Sequence, residues 1–255
     1  MRLIRYTTGD SEVQWGVLVG TEVAEVIGDI LSEWSVGEIQ ANLKDVTLQA
    51  PCVPSKVVCV AINYEGIEGF SSDMAEPLTF IKPGSSVVGP YTTVTNPFPN
   101  LRWWGEAELG IVIKKQAHKI TELQASEYVL GLTIGNDVTV ENCDGRDHHL
   151  ARSKGSDGFC PLGPWIETEI PSQSLRIRAI QDGECIREGW SHNQFWNWEK
   201  VLSRISQWMT LNPYDVVLTG NVPDTVGMRY LGSGAAFEAE IVGIGSLTNT
   251  FISPQ

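Results

Sequence analysis

Two carboxylates interrupt a run that is otherwise apolar. From Trp103 the chain reads WWGEAELGIVIKK. A strand turns successive side chains to opposite faces, so Glu106 and Glu108 point one way while Leu109, Ile111 and Ile113 point the other. A half-buried strand with two like charges side by side needs something to offset them. Neighbouring like charges destabilise a sheet, and a buried carboxylate is costly when unpaired. The usual compensator is a cation, and a third oxygen ligand would strengthen that reading over a merely solvent-facing strand edge. Asp137, at the polar end of the apolar stretch IGNDVTV, is the candidate. Three carboxylates with waters make a hard-oxygen site suited to Mg²⁺, Mn²⁺ or Ca²⁺ rather than Zn²⁺.

The composition limits what such a site can serve. The formal net charge is −13 and 42% of the 255 residues are apolar, nine of them Trp. That supports a sizeable core and argues against nucleic acid and anionic membranes, whose binders cluster Lys and Arg. The opening MRLIRYTTGDSEVQWGVLVG has no apolar core of a signal peptide, and no run reaches the length of a membrane helix, so a cytoplasmic protein is expected. Cys52, Cys59, Cys143, Cys160 and Cys185 are odd in number with no C-x-x-C pair, the pattern of reduced thiols.

Residues 1–52 read as a small α+β leading module: short strands at RLIRYTT, VQWGVLVG and EVAEVI, then a helix near SVGEIQANL. The prolines of APCVPS mark its boundary with residues 53–255. Beyond it, KVVCVAI, TFIKPGSSVVGP, LTIGNDVTV, DVVLTG and AAFEAEIVGIGSLTNTF read as strands, with a helix around TELQASEYVLG and another from about Asn197 to Met209. Asp182-Gly183 predicts a tight hairpin turn. Strands outnumber helices and do not alternate with them as βαβ units would, so the expected class is α+β, mainly β, built as a curled sheet or barrel.

Lys154 lies in the glycine-rich ARSKGSDGFCPLGPW, where a lysine near a divalent cation could stabilise an enolate; a surface lysine is the plainer reading. In LTGNVPDTVG, Thr219 and Gly220 could offer hydroxyl and backbone contacts, although turn chemistry explains them equally well. His148-His149 reads as a solvated pair.

Taken in order, VAINY, FIKPGSSVVGP, GEAELGIVI, GNDVT, KGSDGFCPLGPW, TLNPYDVVLTG and EAEIVGIGSLTNTF resemble the fumarylacetoacetate hydrolase family over about residues 55–253. The resemblance implies a mixed β-sandwich or roll, a homodimer, and Mg²⁺ or Mn²⁺ held by Glu106, Glu108 and Asp137. Lys154 then stands beside the metal. Asn63, Tyr64, Lys82, Glu141, Thr219 and Gly220 fall at substrate-binding places.

The departures are as informative. Hydrolytic members follow the Asn-Tyr pair with a His and then a Glu that activate a water. Here NYEGIEGFSSDMAEP puts Ile67 and Phe70 at those places, leaving Glu65 or Glu68 as substitute bases. After Asp137 the family's Arg and Gln give way to Glu141 and Asp144, an acidic replacement that disfavours dianionic acylpyruvates. The stretch is also similar to the isomerase-decarboxylase branch that processes homoprotocatechuate ring-cleavage products. The expected activity is therefore that of a divalent-metal-dependent lyase or isomerase. It would act on a 2-oxo acid or β-dicarbonyl compound through a metal-stabilised enolate, by decarboxylation, C–C cleavage or tautomerisation. Lys154, Glu68 and Asp144 are the candidate catalytic groups. Alternatives are a C–C hydrolase of an acylpyruvate-like β-diketone and an inactive metal-binding relic serving as a partner subunit.

Overall fold

The computed structural model describes residues 1–254, the side chain of Cys143 excepted. Among these residues the chain is mainly β. A 12-stranded mixed sheet packs against a 5-stranded one, and a two-stranded ribbon joins Trp103–Trp104 to Thr139–Val140. The centre of the large sheet is the antiparallel trio Cys160–Glu167, Val129–Asn136 and Ala107–Ile113. Next to it, Val216–Leu218 runs antiparallel to Ala107–Ile113 but parallel to Lys56–Ala61.

Alternation fixes which side each residue serves. Leu109, Ile111, Leu132 and Ile134 face the smaller sheet, packing with Ile177, Phe237, Ala239 and Leu247. Val112, Leu130, Leu162 and Leu218 face the other way, into a second apolar cluster with Leu3, Val17 and Val57. Each such fully buried Leu, Ile or Val contributes roughly 1.5–3 kcal/mol. All seven residues of Ala107–Ile113 are buried, so this strand is covered on both faces rather than half-buried. The sequence misleads here because the covering for the second face comes from the distant leading strands.

The leading strands Arg2–Thr7, Gln14–Val19 and Glu22–Gly28 continue the large sheet, since Arg2 and Leu3 pair with Glu167 and Ile166. The helix expected near SVGEIQANL is instead the strand Trp34–Asn42, the outermost of the sheet. Its ladder with Glu22–Gly28 and the β-branched Val36 and Ile39 outweigh the helical reading. The stretch TELQASEYVLG divides into a 3₁₀ turn, Glu122–Tyr128, and the start of strand Val129–Asn136. The later helix forms over Trp198–Ser206, capped by Asn197 Oδ1 accepting from Lys200 N–H at 3.0 Å and burying Val201, Leu202 and Ile205. Asp182 and Gly183 both take positive φ in the hairpin between Arg176–Gln181 and Glu184–Trp190. Cys52, Cys59, Cys160 and Cys185 are free thiols. Among the described residues no helix is long and apolar enough to cross a membrane.

Candidate metal and substrate site

Strand register assembles the carboxylates. Ala107 pairs with Asn136, so the next positions outward, Glu106 and Asp137, meet at the sheet end, where Asp137 N–H donates to Glu106 O at 2.9 Å. Glu106 N–H donates to Asn136 Oδ1, also at 2.9 Å. Glu108 lies two residues inward on the same face, and its Oε2 accepts from Gly220 N–H at 2.7 Å. Gly220 has φ +98°, and a Cβ there would come within 2.8 Å of Asn63 Cβ, so only glycine presents that N–H so closely. One carboxylate oxygen from each of Glu106, Glu108 and Asp137 lies within 4.8 Å of the others.

Two lysines partly offset this charge. Lys82 is fully buried; its Nζ meets Asp137 Oδ1 at 2.7 Å and donates to the carbonyls of Val138 (3.0 Å), Phe159 (2.9 Å) and Lys154 (2.5 Å). Lys154 ends the short helix Ala151–Lys154, and its Nζ donates to Glu106 Oε2 at 2.7 Å and Asp137 Oδ2 at 2.5 Å. Burial alone would drive the Lys154 ammonium down, but Asp137 and Glu106 overcome it and hold its pKa above the ordinary lysine value. Burial likewise pushes the Asp137 carboxyl up, and Lys154 and Lys82 bring it below its usual value. Glu108 is the member left over. Burial, then Asp137 and Glu106, raise it well above the carboxylate range despite Lys154 and the Gly220 N–H. Three carboxylates against two ammonium groups form a set one cation short, with hard-oxygen donors that fit a divalent ion such as Mg²⁺ or Mn²⁺.

The triad opens into a cavity of about 450 Å³ whose walls include Ile67, Phe80, Leu150, Arg187 and Asn221. Of the residues singled out in the sequence, Glu106, Glu108, Asp137, Lys154 and Glu68 line it. The seven other candidate site residues stand elsewhere, Gly220 among them, its N–H spent on Glu108. Asn63 is consumed by backbone: its Nδ2 donates to Thr219 O (2.7 Å) and Trp196 O (3.0 Å), and its Oδ1 accepts from Trp196 N–H. Tyr64 packs in the core, where burial raises its phenol pKa. Thr219 Oγ1 donates to Leu109 O and accepts from Gln194, and Lys82 is walled in by carbonyls. These four hold the site's framework from behind.

Glu141 and Asp144 are carried outward instead. After Asp137 the chain pairs Thr139–Val140 with Trp103–Trp104, placing Glu141 against Arg102 at 2.7 Å and Asp144 in an exposed turn. The acidic replacement therefore does not reach the cavity.

Several wall residues carried no sequence signal. Arg187 is 1% exposed beside the equally buried Ile186, against the alternation that would turn it outward. It pairs with Asp224, a residue that reads in the sequence as ordinary turn chemistry. Outside the cavity lining, Trp104 Nε1 donates to Glu106 Oε1 at 2.8 Å, a contact that also carried no sequence signal.

Residues 56–252 match the family model described as fumarylacetoacetate (FAA) hydrolase C-terminal, and residues 1–51 match one described as Rv2993c-like, N-terminal. This chain belongs to the fumarylacetoacetate hydrolase family. It is similar to Protein Rv2993c of Mycobacterium tuberculosis, 35% identical over 82% of this chain and 80% of that one. It is also similar to human Oxaloacetate tautomerase FAHD2A, mitochondrial, at 32% identity over 82% of this chain and 70% of the relative. Among solved structures, 2-hydroxyhepta-2,4-diene-1,7-dioate isomerase from Mycobacterium marinum superposes with a TM-score of 0.87. It is 31% identical, covering 99% of this chain and 98% of that one. Relatives thus carry the names of isomerases and a tautomerase as well as a hydrolase.

Proposed function

We propose that this protein is a divalent-metal-dependent lyase or isomerase of a 2-oxo acid or β-dicarbonyl compound. The observation that carries this reading is the convergence of Glu106, Glu108 and Asp137 with a charged Lys154 on the floor of one cavity. The names of the relatives support the reaction class.

A bound Mg²⁺ or Mn²⁺, held by the three carboxylates, would supply an electron sink for paired substrate oxygens. The chain's own groups do the rest. Lys154 presents an ammonium N–H to an oxygen on which negative charge develops, from a position fixed by two carboxylates. Phe80, whose ring centroid lies 5.0 Å from Lys154 Nζ, and Leu150 give that end of the cavity an apolar wall. Glu68, on the same cavity and exposed, is the carboxylate placed to take a proton from substrate carbon and return it. This chemistry needs no water activated by a His-Glu dyad, which agrees with Ile67 in the wall. A second reading, C–C hydrolysis with Glu68 as the base, rests on that same placement of Glu68.

The test is calorimetric titration of chelator-treated protein with Mg²⁺ and Mn²⁺, with and without oxalate as an enolpyruvate mimic. Metal binding that tightens with oxalate is expected. Metal binding indifferent to oxalate overturns the oxo-acid assignment, and absence of metal binding overturns the site.

A further inference from the structure

An arginine on the wall of a small-acid site ordinarily awaits a carboxylate, which it grips with two parallel hydrogen bonds. Arg187 does not wait. Its Nε is ion-paired with Asp224, its Nη1 donates to Gly105 O at 2.6 Å, and its Nη2 reaches Met228 Sδ at 3.4 Å. Every nitrogen of the guanidinium is engaged and its charge is already balanced by the protein. Asp224 and Asn221 line the same cavity, and Asn221 Oδ1 is buried without a hydrogen-bond partner. A buried, unpaired amide oxygen is costly unless a donor meets it.

The charges point the same way. Among the described residues, Glu68, Glu106, Glu108, Asp137 and Asp224 face the cavity against Lys154 and Arg187, with Lys82 behind Asp137, so a divalent cation would do no more than balance the set. One substrate carboxylate can sit at the metal end. A second would confront Asp224, with no free cation among the described wall residues to receive it.

We infer that the substrate is a monocarboxylate whose far end is neutral and donates a hydrogen bond, an amide or a hydroxyl, received by Asn221 and Asp224. Asp224 is thereby a specificity residue that rejects a second carboxylate. This inference rests on the oxo-acid reading above.

Two inert oxo-acid mimics of equal length test it: N-(2-carbamoylethyl)oxamate and N-(2-carboxyethyl)oxamate, titrated calorimetrically into Mg²⁺-supplemented protein with oxalate as control. The amide is expected to bind about tenfold or more tighter than the acid. In Asp224→Asn, which frees Arg187, the acid should gain about tenfold and the preference should shrink by that factor, while oxalate affinity stays the same. Asn221→Ala should weaken the amide alone. Preference for the acid in the unaltered protein overturns the inference, as does an unchanged ratio in Asp224→Asn with an unaltered melting temperature. So does binding of oxalate without binding of either longer probe. If oxalate itself does not bind, the oxo-acid reading fails first and takes this inference with it.

Discussion

Glu108 and Glu68 line one cavity, yet they are held by different means. Glu108 is 2% exposed, on a strand covered on both faces, with a glycine N–H aimed at its carboxylate. Glu68 is exposed, in a run of turns between the strands Lys56–Ala61 and Leu78–Pro83. Asp224 and Asn221 belong to the same second kind, beyond the strand Val216–Leu218. Moving a floor residue means moving the register of the central sheet. Residues at the mouth can be exchanged with little effect on the core, as is general where loops stand on a rigid scaffold. On the proposed function, the floor holds the metal chemistry and the mouth holds what distinguishes one substrate from another.

The comparison breaks first at the floor. Glu106→Gln keeps the shape that accepts from Trp104 Nε1 but removes one charged ligand, so Mg²⁺ binding should fall below calorimetric detection while the fold persists. Unchanged metal affinity in that variant would sink the ligand assignment. Lys82→Met comes next, because it leaves Asp137 buried with one cation fewer and frees three interior carbonyls. Breaking a buried pair from one side costs about 3–5 kcal/mol, to be read from urea unfolding. A cost under about 1 kcal/mol would mean that Lys82 is not what holds the floor together.

A change at the mouth should act the other way, altering activity with little cost in stability. Ile67 is partly buried and lines the cavity, and Ile67→His puts an imidazole beside Glu68. Acylpyruvate hydrolysis should appear, with a urea midpoint close to that of the parent. If no hydrolysis appears while metal and oxalate still bind, hydrolysis demands more than the missing imidazole.

The same division explains what could be read in advance. The triad was legible because its spacing is local on one strand and its third member follows a strand end, and register then does the rest. The hairpin at Asp182-Gly183 and the helix after Asn197 were legible for the same reason, since a turn pair and a cap act over a few residues. Trp34–Asn42 was misread because its partner strand, not its own composition, decides its conformation. Glu141 and Asp144 follow Asp137 by only a few residues, yet the ribbon with Trp103–Trp104 turns them away. Arg187 is the converse case: its inward aim depends on a loop some 37 residues later in the chain, and no local pattern announces it.

The smallest effect lies between floor and mouth, at Asp147. Its Oδ2 accepts from Ser153 N–H at 2.7 Å, tying down the helical turn that ends at Lys154. Burial pushes this carboxyl up, but hydrogen bonds from the Ser153, Ala151 and Arg152 backbone prevail and hold it below the usual aspartate value. A depressed native pKa means stability that is fully present above the unfolded value, near pH ~4, and is lost as pH falls through the folded one. Asp147→Ala should therefore cost about 1 kcal/mol at neutral pH, as the loss of a helix cap does. The gap between parent and variant should close in acid, as pH falls through the depressed folded-state pKa. Urea unfolding at neutral and acid pH checks both. A gap that persists in acid would place the contribution of Asp147 in its packing, leaving Lys154 to be positioned by its two carboxylates alone.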